Sequence, residues 1–112
     1  MNEKLKGLHV EYLFQAVLCL ETMEECYKLF EYILTMNTVD ECYQLFEDLC
    51  TVPELKALSQ RLQVAKMLHE HKVYSEIVQA TGASTATISR VNRSLSYGCD
   101  GYQVVFDRVK DE

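Results

Sequence analysis

The residues between positions 84 and 93 have the side chains that DNA binding requires. Small hydroxyl groups let a helix approach base edges closely, arginine binds phosphate or guanine, and a helix N-terminus favours an anion. No acidic residue lies between Ile77 and Cys99. The residues that we expect to contact double-stranded DNA, through its major groove, are Ser84, Thr85, Ala86, Thr87, Ser89, Arg90 and Arg93, together with Lys72.

Two short helices joined by a glycine turn are predicted to position these side chains. The first spans about 74–80 and ends at Gly82, where a tight turn needs a positive φ that a Cβ atom would penalise. The second begins after Ser84, a good N-cap residue, and continues to about Leu95. This spacing is typical of a helix-turn-helix. The apolar residues predicted to pack the two helices are Ile77, Val78, Ala83, Ile88, Val91 and Leu95.

A sixteen-residue repeat precedes this module. Residues 36–51 match residues 20–35 at eight of sixteen positions, which indicates a tandem duplication. Thr22 with Glu25, and likewise the matching pair in the second copy, has the spacing of a capping box, so each copy is predicted to form one capped helix. Each helix carries an apolar face at positions i, i+3, i+4 and i+7. The two faces comprise Cys26, Leu29, Phe30 and Ile33, and Cys42, Leu45, Phe46 and Leu49.

Two further helices complete the predicted all-α fold, a bundle of six or seven short helices. Residues 3–18 form the first, and a capping box at residues 51–54, with proline in its first turn, starts another that continues to about His69. We interpret residues 1–112 as one domain, with a helical dimerisation part over 1–52 and the helix-turn-helix part over 53–112. The apolar stripe expected after the third capping box is Leu55, Leu58, Leu62, Ala65 and Leu68.

The charge of the chain is unevenly distributed. Residues 1–50 carry ten acids and three bases, a net charge of −7, whereas residues 51–112 carry a net charge of +1. The total of −6 excludes a protein that binds nucleic acid through bulk positive charge. This total charge is compatible with a local basic surface in the second half of the chain. The acidic first half and the slightly basic second half suggest that the two parts have different roles.

Other classes of protein receive little support from the sequence. The longest apolar run, residues 16–20, is far shorter than the about 20 residues of a membrane helix, and no signal-peptide pattern is present, so we expect a cytoplasmic protein without a membrane partner. The five cysteines lack metal-site spacing and are expected to be buried free thiols. His69 and His71 would point to different sides of a helix and are expected to be solvated, and no catalytic motif occurs, so no enzyme is predicted.

At residues 82–95 the sequence resembles the recognition helix of the Trp repressor superfamily, and within it the small Trp-repressor-like proteins of Gram-positive bacteria. The resemblance rests on residues 82–90 and 92–95, and extends over roughly residues 8–20 and 36–108. It implies an all-helical, intertwined homodimer whose two recognition helices enter successive major grooves of an operator. The implied function is that of a sequence-specific transcriptional regulator, a repressor.

The resemblance also implies an effector pocket. Arg61 and Arg90 match two arginines that enclose an indole ring in ligand-binding members, and Thr51 matches a threonine beside them. Where the tryptophan binders have a glycine after the second arginine, this chain has Val91, which would crowd the ring. No cofactor is therefore predicted; a small-molecule co-repressor stays open, and tryptophan is disfavoured.

The duplicated helix is the larger departure, because the family has one helix of this type and this chain has two. The extra helix must pack outside the dimer core or change how the two chains exchange. An alternative interpretation makes the acidic, tyrosine-rich repeat a helical interaction or dimerisation module without DNA binding. The acid-free face at residues 84–93 distinguishes the two, because a pure adaptor has no reason to exclude acids there.

Overall fold

The computed structural model describes residues 20–109, which contain six helices and no strand. The predicted all-α fold is confirmed, while the helix predicted over residues 3–18 lies outside the described residues. The chain divides into two compact units, Met1–Thr51 and Val52–Glu112. The helices are α1 (Leu20–Ile33), α2 (Val39–Leu49), α3 (Val52–His69), α4 (Tyr74–Thr81), α5 (Thr85–Tyr97) and α6 (Gly101–Val109).

Helix α1, in the first unit, begins earlier than the repeat predicts. It already includes Leu20, so Thr22 lies inside the helix and the capping box predicted there is wrong. The two residues before Thr22 are Leu and Glu, which favour helix, so the helix continues through the threonine. At its other end α1 closes with a turn in which the Leu34 N–H donates to the Phe30 carbonyl at 3.0 Å.

Helix α2 begins as predicted, with Thr38 as its N-cap. The Thr38 hydroxyl accepts the Glu41 N–H at 3.0 Å, and a Glu41 carboxylate oxygen accepts the Asn37 N–H at 2.7 Å. In a standard capping box the carboxylate would accept from the N-cap residue itself, one position later. The Thr38 hydroxyl satisfies one of the backbone N–H groups that the start of a helix leaves open, and the Glu41 carboxylate holds the residue before the cap.

The apolar faces of the repeat are exposed or half-buried in the single chain. In α2 no residue is buried, and Leu49 is 53% exposed; in α1, Phe30 is 54% exposed and Leu29 is also exposed. The other face residues are half-buried. An amphipathic helix cannot enclose its own stripe, so burial of these faces needs an additional surface.

Helix α3, in the second unit, has the predicted bounds, but its predicted stripe is buried only in part: Ala65 is buried as predicted and Leu68 packs against the core. Val64 and Ala65 are fully buried, whereas Leu58 and Leu62, expected in the core, are each 44% exposed. At 100° per residue, Leu58 and Leu62 lie about 70° and about 110° from the direction midway between Val64 and Ala65. The core of the unit forms around Val64 and Ala65, where α3 contacts α4, α5 and α6.

The core of the second unit contains apolar residues from four helices and the α4–α5 turn. Of the predicted core residues, Val78 is exposed, because adjacent positions on a helix point 100° apart and Ile77 takes the inward one. His69, expected to be solvated, is exposed but its ring centroid lies 5.0 Å from that of Phe106. The buried cluster comprises Val64, Ala65, Ile77, Ala83, Ile88, Val91 and Phe106.

The cysteines are less buried than expected. Cys26, Cys42 and Cys50 are half-buried free thiols, and Cys99 is an exposed one in the α5–α6 connection; Cys19 lies outside the described residues. The first two belong to the repeat faces that this structure leaves partly open, which explains why they are not enclosed.

Candidate nucleic-acid interface

The turn between α4 and α5 has the backbone conformation predicted from its glycine. Gly82 is left-handed, with φ 73° and ψ 5°, and its N–H donates to the Val78 carbonyl at 2.9 Å, which ends α4. A Cβ atom built at Gly82 would meet no atom within 4 Å. The positive φ, rather than a close approach, is therefore what selects glycine at this position.

Thr81 adds a set of hydrogen bonds that the sequence analysis missed. Its hydroxyl donates to the Ile77 carbonyl at 2.7 Å and accepts the Ala83 N–H at 3.1 Å. Its own carbonyl accepts from Nε2 of Gln60, on α3, at 3.1 Å. A threonine directly before a turn glycine is a recognisable local signal for hydroxyl-to-backbone bonding, whereas no local pattern links position 60 to position 81.

Ser84 is the N-cap of α5, as predicted, and this role occupies its hydroxyl. The oxygen accepts the Thr87 N–H at 3.1 Å, and the hydroxyl donates to Oγ1 of Thr87 at 3.1 Å. A serine hydroxyl has one hydrogen to donate, so Ser84 mainly orients the first turn of α5. Thr87 is half-buried and keeps its own hydroxyl hydrogen for another acceptor.

Apart from Lys72, the other residues that we predicted to contact DNA lie on α5. Ile88 and Val91 point into the core, so positions about half a turn away face outward. Lys72 is exposed in the connection between α3 and α4, where its N–H donates to the Met67 carbonyl at 3.0 Å. The exposed members of the set on α5 are Thr85, Ala86, Ser89, Arg90 and Arg93.

The residues of the expected effector pocket belong to different elements. Arg61 is half-buried on α3 and Arg90 is exposed on α5, both in the second unit, whereas Thr51 is exposed at the end of the first unit. Val91, which follows Arg90, is only 2% exposed and belongs to the buried cluster. The two neighbours therefore lie on different sides of α5, the arginine outward and the valine in the core.

Two features are absent from the described residues. Among residues 20–109, no three His, Cys, Asp or Glu side chains come together in a group that could hold a metal ion. In the same part of the chain, every helix is too short or too polar to span a lipid bilayer.

The chain is all-α and contains a capped helix-turn-helix, whose outward face carries small, hydroxyl and basic side chains. These features place it in the helix-turn-helix class of proteins. The family model for the Trp repressor protein matches residues 29–110, which is most of the chain. The chain therefore belongs to the Trp repressor family.

Relatives support the same assignment over almost the whole chain. The uncharacterized protein YerC of Bacillus subtilis strain 168 is 52% identical over 109 residues, which cover 97% of this chain and 89% of YerC. A crystal structure of a candidate Trp repressor from Staphylococcus aureus is similar with a TM-score of 0.77 at 48% identity, covering 95% of this chain and 98% of that one. A TrpR-like protein from Eubacterium eligens gives a TM-score of 0.74 at 51% identity, with coverages of 97% and 96%.

Proposed function

We propose that this protein is a sequence-specific DNA-binding transcriptional regulator, a repressor, that acts in the cytoplasm and reads the major groove with α5. The observation that carries the proposal is the exposed, acid-free outer side of α5, presented by a turn whose backbone is fixed at Gly82. A recognition helix must reach base edges with its first turns, and α5 exposes Thr85, Ala86 and Ser89 there. Family membership supports the same function.

The proposed contacts divide into two kinds. Thr85 and Ser89 offer small hydroxyl groups to base edges, directly or through water, and the Ala86 methyl group allows close approach. Arg90 binds a phosphate or a guanine, while Arg93 and Lys72 bind phosphates and supply affinity without sequence preference. Ser84 acts through the orientation of α5 rather than through contact.

We also propose that the protein binds its operator as a homodimer. Leu58 and Leu62 form an exposed apolar stripe on α3, and α2 leaves Val39, Tyr43 and Leu49 exposed, so both units carry apolar surface that a second copy would cover. A two-fold dimer would bind two half-sites separated by about one helical turn of DNA, or 34–36 Å.

Tryptophan does not fit as the co-repressor in this proposal. The Val91 side chain is part of the buried cluster, so the space beside α5 that a glycine would leave open is occupied. An indole ring would have to displace a well-packed core residue, which is costly. Another small molecule that contacts Arg61 and Arg90 remains compatible with the exposed position of Arg90.

Selection of genomic DNA fragments by the purified protein, followed by fluorescence anisotropy, tests the proposed function. Arg90→Ala should weaken binding of the selected fragment by about tenfold to a hundredfold, as loss of a bidentate base contact does. Arg93→Ala should weaken selected and bulk DNA evenly and reduce the salt slope by about 1. Arg108→Ala is the matched control, because it removes the same charge from an exposed position on α6.

A protein that binds no fragment better than bulk DNA at low salt contradicts the proposal. The competing function would then be a protein-interaction module, which one observation favours: Tyr32 and Tyr43 of the acidic repeat are 67% and 60% exposed. Equal losses for Arg90→Ala and Arg108→Ala would show that charge alone, and not the outer side of α5, drives binding.

A further inference from the structure

A side chain from α3 is bonded to the turn of the helix-turn-helix. Nε2 of Gln60 donates to the Thr81 carbonyl at 3.1 Å in a partly buried contact. Because a carbonyl oxygen only accepts, the contact needs a donor at position 60. The contact joins residues 21 positions apart in the chain, so it ties the α4–α5 hairpin to the long helix behind it.

The bonds of Thr81 extend this contact to the start of α5. Its hydroxyl joins the Ile77 carbonyl in the last turn of α4 to the N–H of Ala83 in the turn. Ala83 is buried, and the next residue, Ser84, caps α5. The Thr81 carbonyl is therefore held three residues before Ser84, the N-cap of α5.

We propose that Gln60 and Thr81 are positioning residues that fix the orientation of α5 against α3 and so determine how well the protein discriminates between DNA sequences. The inference rests on the proposed function, since it assigns a role in base recognition to residues that do not touch DNA. Hydrogen bonds to base edges require close alignment of donor and acceptor. Contacts of long basic side chains to phosphates tolerate small rotations of a helix, because their attraction is mainly electrostatic.

The direct test replaces Gln60 with methionine, which has a similar length and volume but no donor. For Gln60→Met we expect an about three- to tenfold loss of affinity for the selected fragment, the size of one hydrogen bond, with bulk affinity and salt slope unchanged. Gln63→Met is the matched control, since Gln63 is an exposed glutamine on the same helix. A role confined to stability would not change the ratio of specific to bulk affinity in the folded protein.

A second pair of variants separates the Thr81 hydroxyl from its bulk. Thr81→Val removes the two hydroxyl bonds at similar volume and should lower the specific-to-bulk ratio, whereas Thr81→Ser keeps the hydroxyl and should restore it. Hydrogen exchange of the free protein gives a readout that needs no DNA: Gln60→Met should speed exchange at Gly82 and Ala83, and Gln63→Met should not.

Three results would overturn the inference. The first is a Gln60→Met protein that keeps the wild-type ratio of specific to bulk DNA affinity. The second is a Gln63→Met protein that loses this ratio equally. The third is unchanged hydrogen exchange at Gly82 and Ala83 in Gln60→Met. If the wild-type protein selects no DNA, the proposed function and this role in discrimination fail together. In that case faster exchange in Gln60→Met identifies the failure as one of function, because the bond between α3 and the turn is then intact in the wild type.

Discussion

Helices α2 and α5 begin in the same way but are supported differently. Each starts after a hydroxyl residue that accepts the N–H three positions later, Thr38 at 3.0 Å and Ser84 at 3.1 Å. Helix α5 buries Ile88 and Val91, whereas α2 buries no residue. The difference shows that a good cap and an amphipathic pattern define a helix, while burial depends on the neighbours that its own unit supplies.

The two units differ in the source of their stability. In the second unit, α3, α4, α5 and α6 supply a common buried cluster, so the helix-turn-helix has a core within residues 52–109. The described helices of the first unit leave Phe30, Tyr43 and Leu49 more than half exposed. A surface that covered these apolar faces would stabilise the unit, and we propose that a second copy of the chain supplies it.

The largest effect is expected from a substitution in the core that α5 helps to form. Ile88 is fully buried, so Ile88→Ala should lower the free energy of unfolding by about 2–5 kcal/mol through lost burial and a cavity. Leu49→Ala at the end of α2 should cost about 0.5–1 kcal/mol or less in a dilute, monomeric sample, because the side chain is already half exposed. Urea denaturation followed by circular dichroism measures both.

Varying the protein concentration tests the same comparison between the two units. If a second copy covers α2, the cost of Leu49→Ala should grow as the concentration rises and dimer forms, while that of Ile88→Ala should change little. Equal costs for the two variants at low concentration would contradict the distinction between the units.

Patterns local to a few residues predicted much of the fold. The left-handed Gly82, the caps at Thr38 and Ser84, and the start and end of α3 follow from residue types within one turn of helix. Helix α5 extends two residues beyond Leu95, the end that its apolar spacing predicted. Such spacing marks where a helix contacts its neighbours but not where the backbone stops being helical.

The failures have one physical cause, which is dependence on context outside the local pattern. Thr22 has the same spacing to a glutamate as Thr38, yet helix-forming residues precede it and a turn precedes Thr38. Leu58 and Leu62 belong to the predicted stripe of α3, but only its members Ala65 and Leu68 pack against the buried cluster. In the candidate site, local reasoning found the outer side of α5 and missed Gln60, whose partner lies 21 residues away.

A smaller effect tests the difference between the two repeat copies. Thr38→Ala should cost about 1 kcal/mol, since it removes the hydroxyl that caps α2. Thr22→Ala lies inside α1 and should cost clearly less, because alanine is the better helix former there. Thermal unfolding of the two single variants compares them directly, and Thr38→Ser should retain the wild-type value because serine caps equally well. A Thr22→Ala cost as large as that of Thr38→Ala would mean that α1 begins at Thr22 in solution.

The smallest expected effect comes from the largest change, the deletion of one repeat copy. Removing residues 36–51 joins Thr35 to Val52 and so restores the Thr-Val junction that precedes α3 in the intact chain. Helix α2 contributes no buried residue, and the buried cluster of the second unit lies entirely after the junction. The first repeat copy, α1, carries the same apolar pattern, so we expect it to replace α2 in the proposed contact with a second copy. We therefore expect a folded dimer whose helix-turn-helix core is unchanged, measured by light scattering, circular dichroism and urea denaturation. An unfolded product would show that α2 is part of a structure that the first copy cannot replace, and a folded monomer would assign the dimer contact to α2 itself.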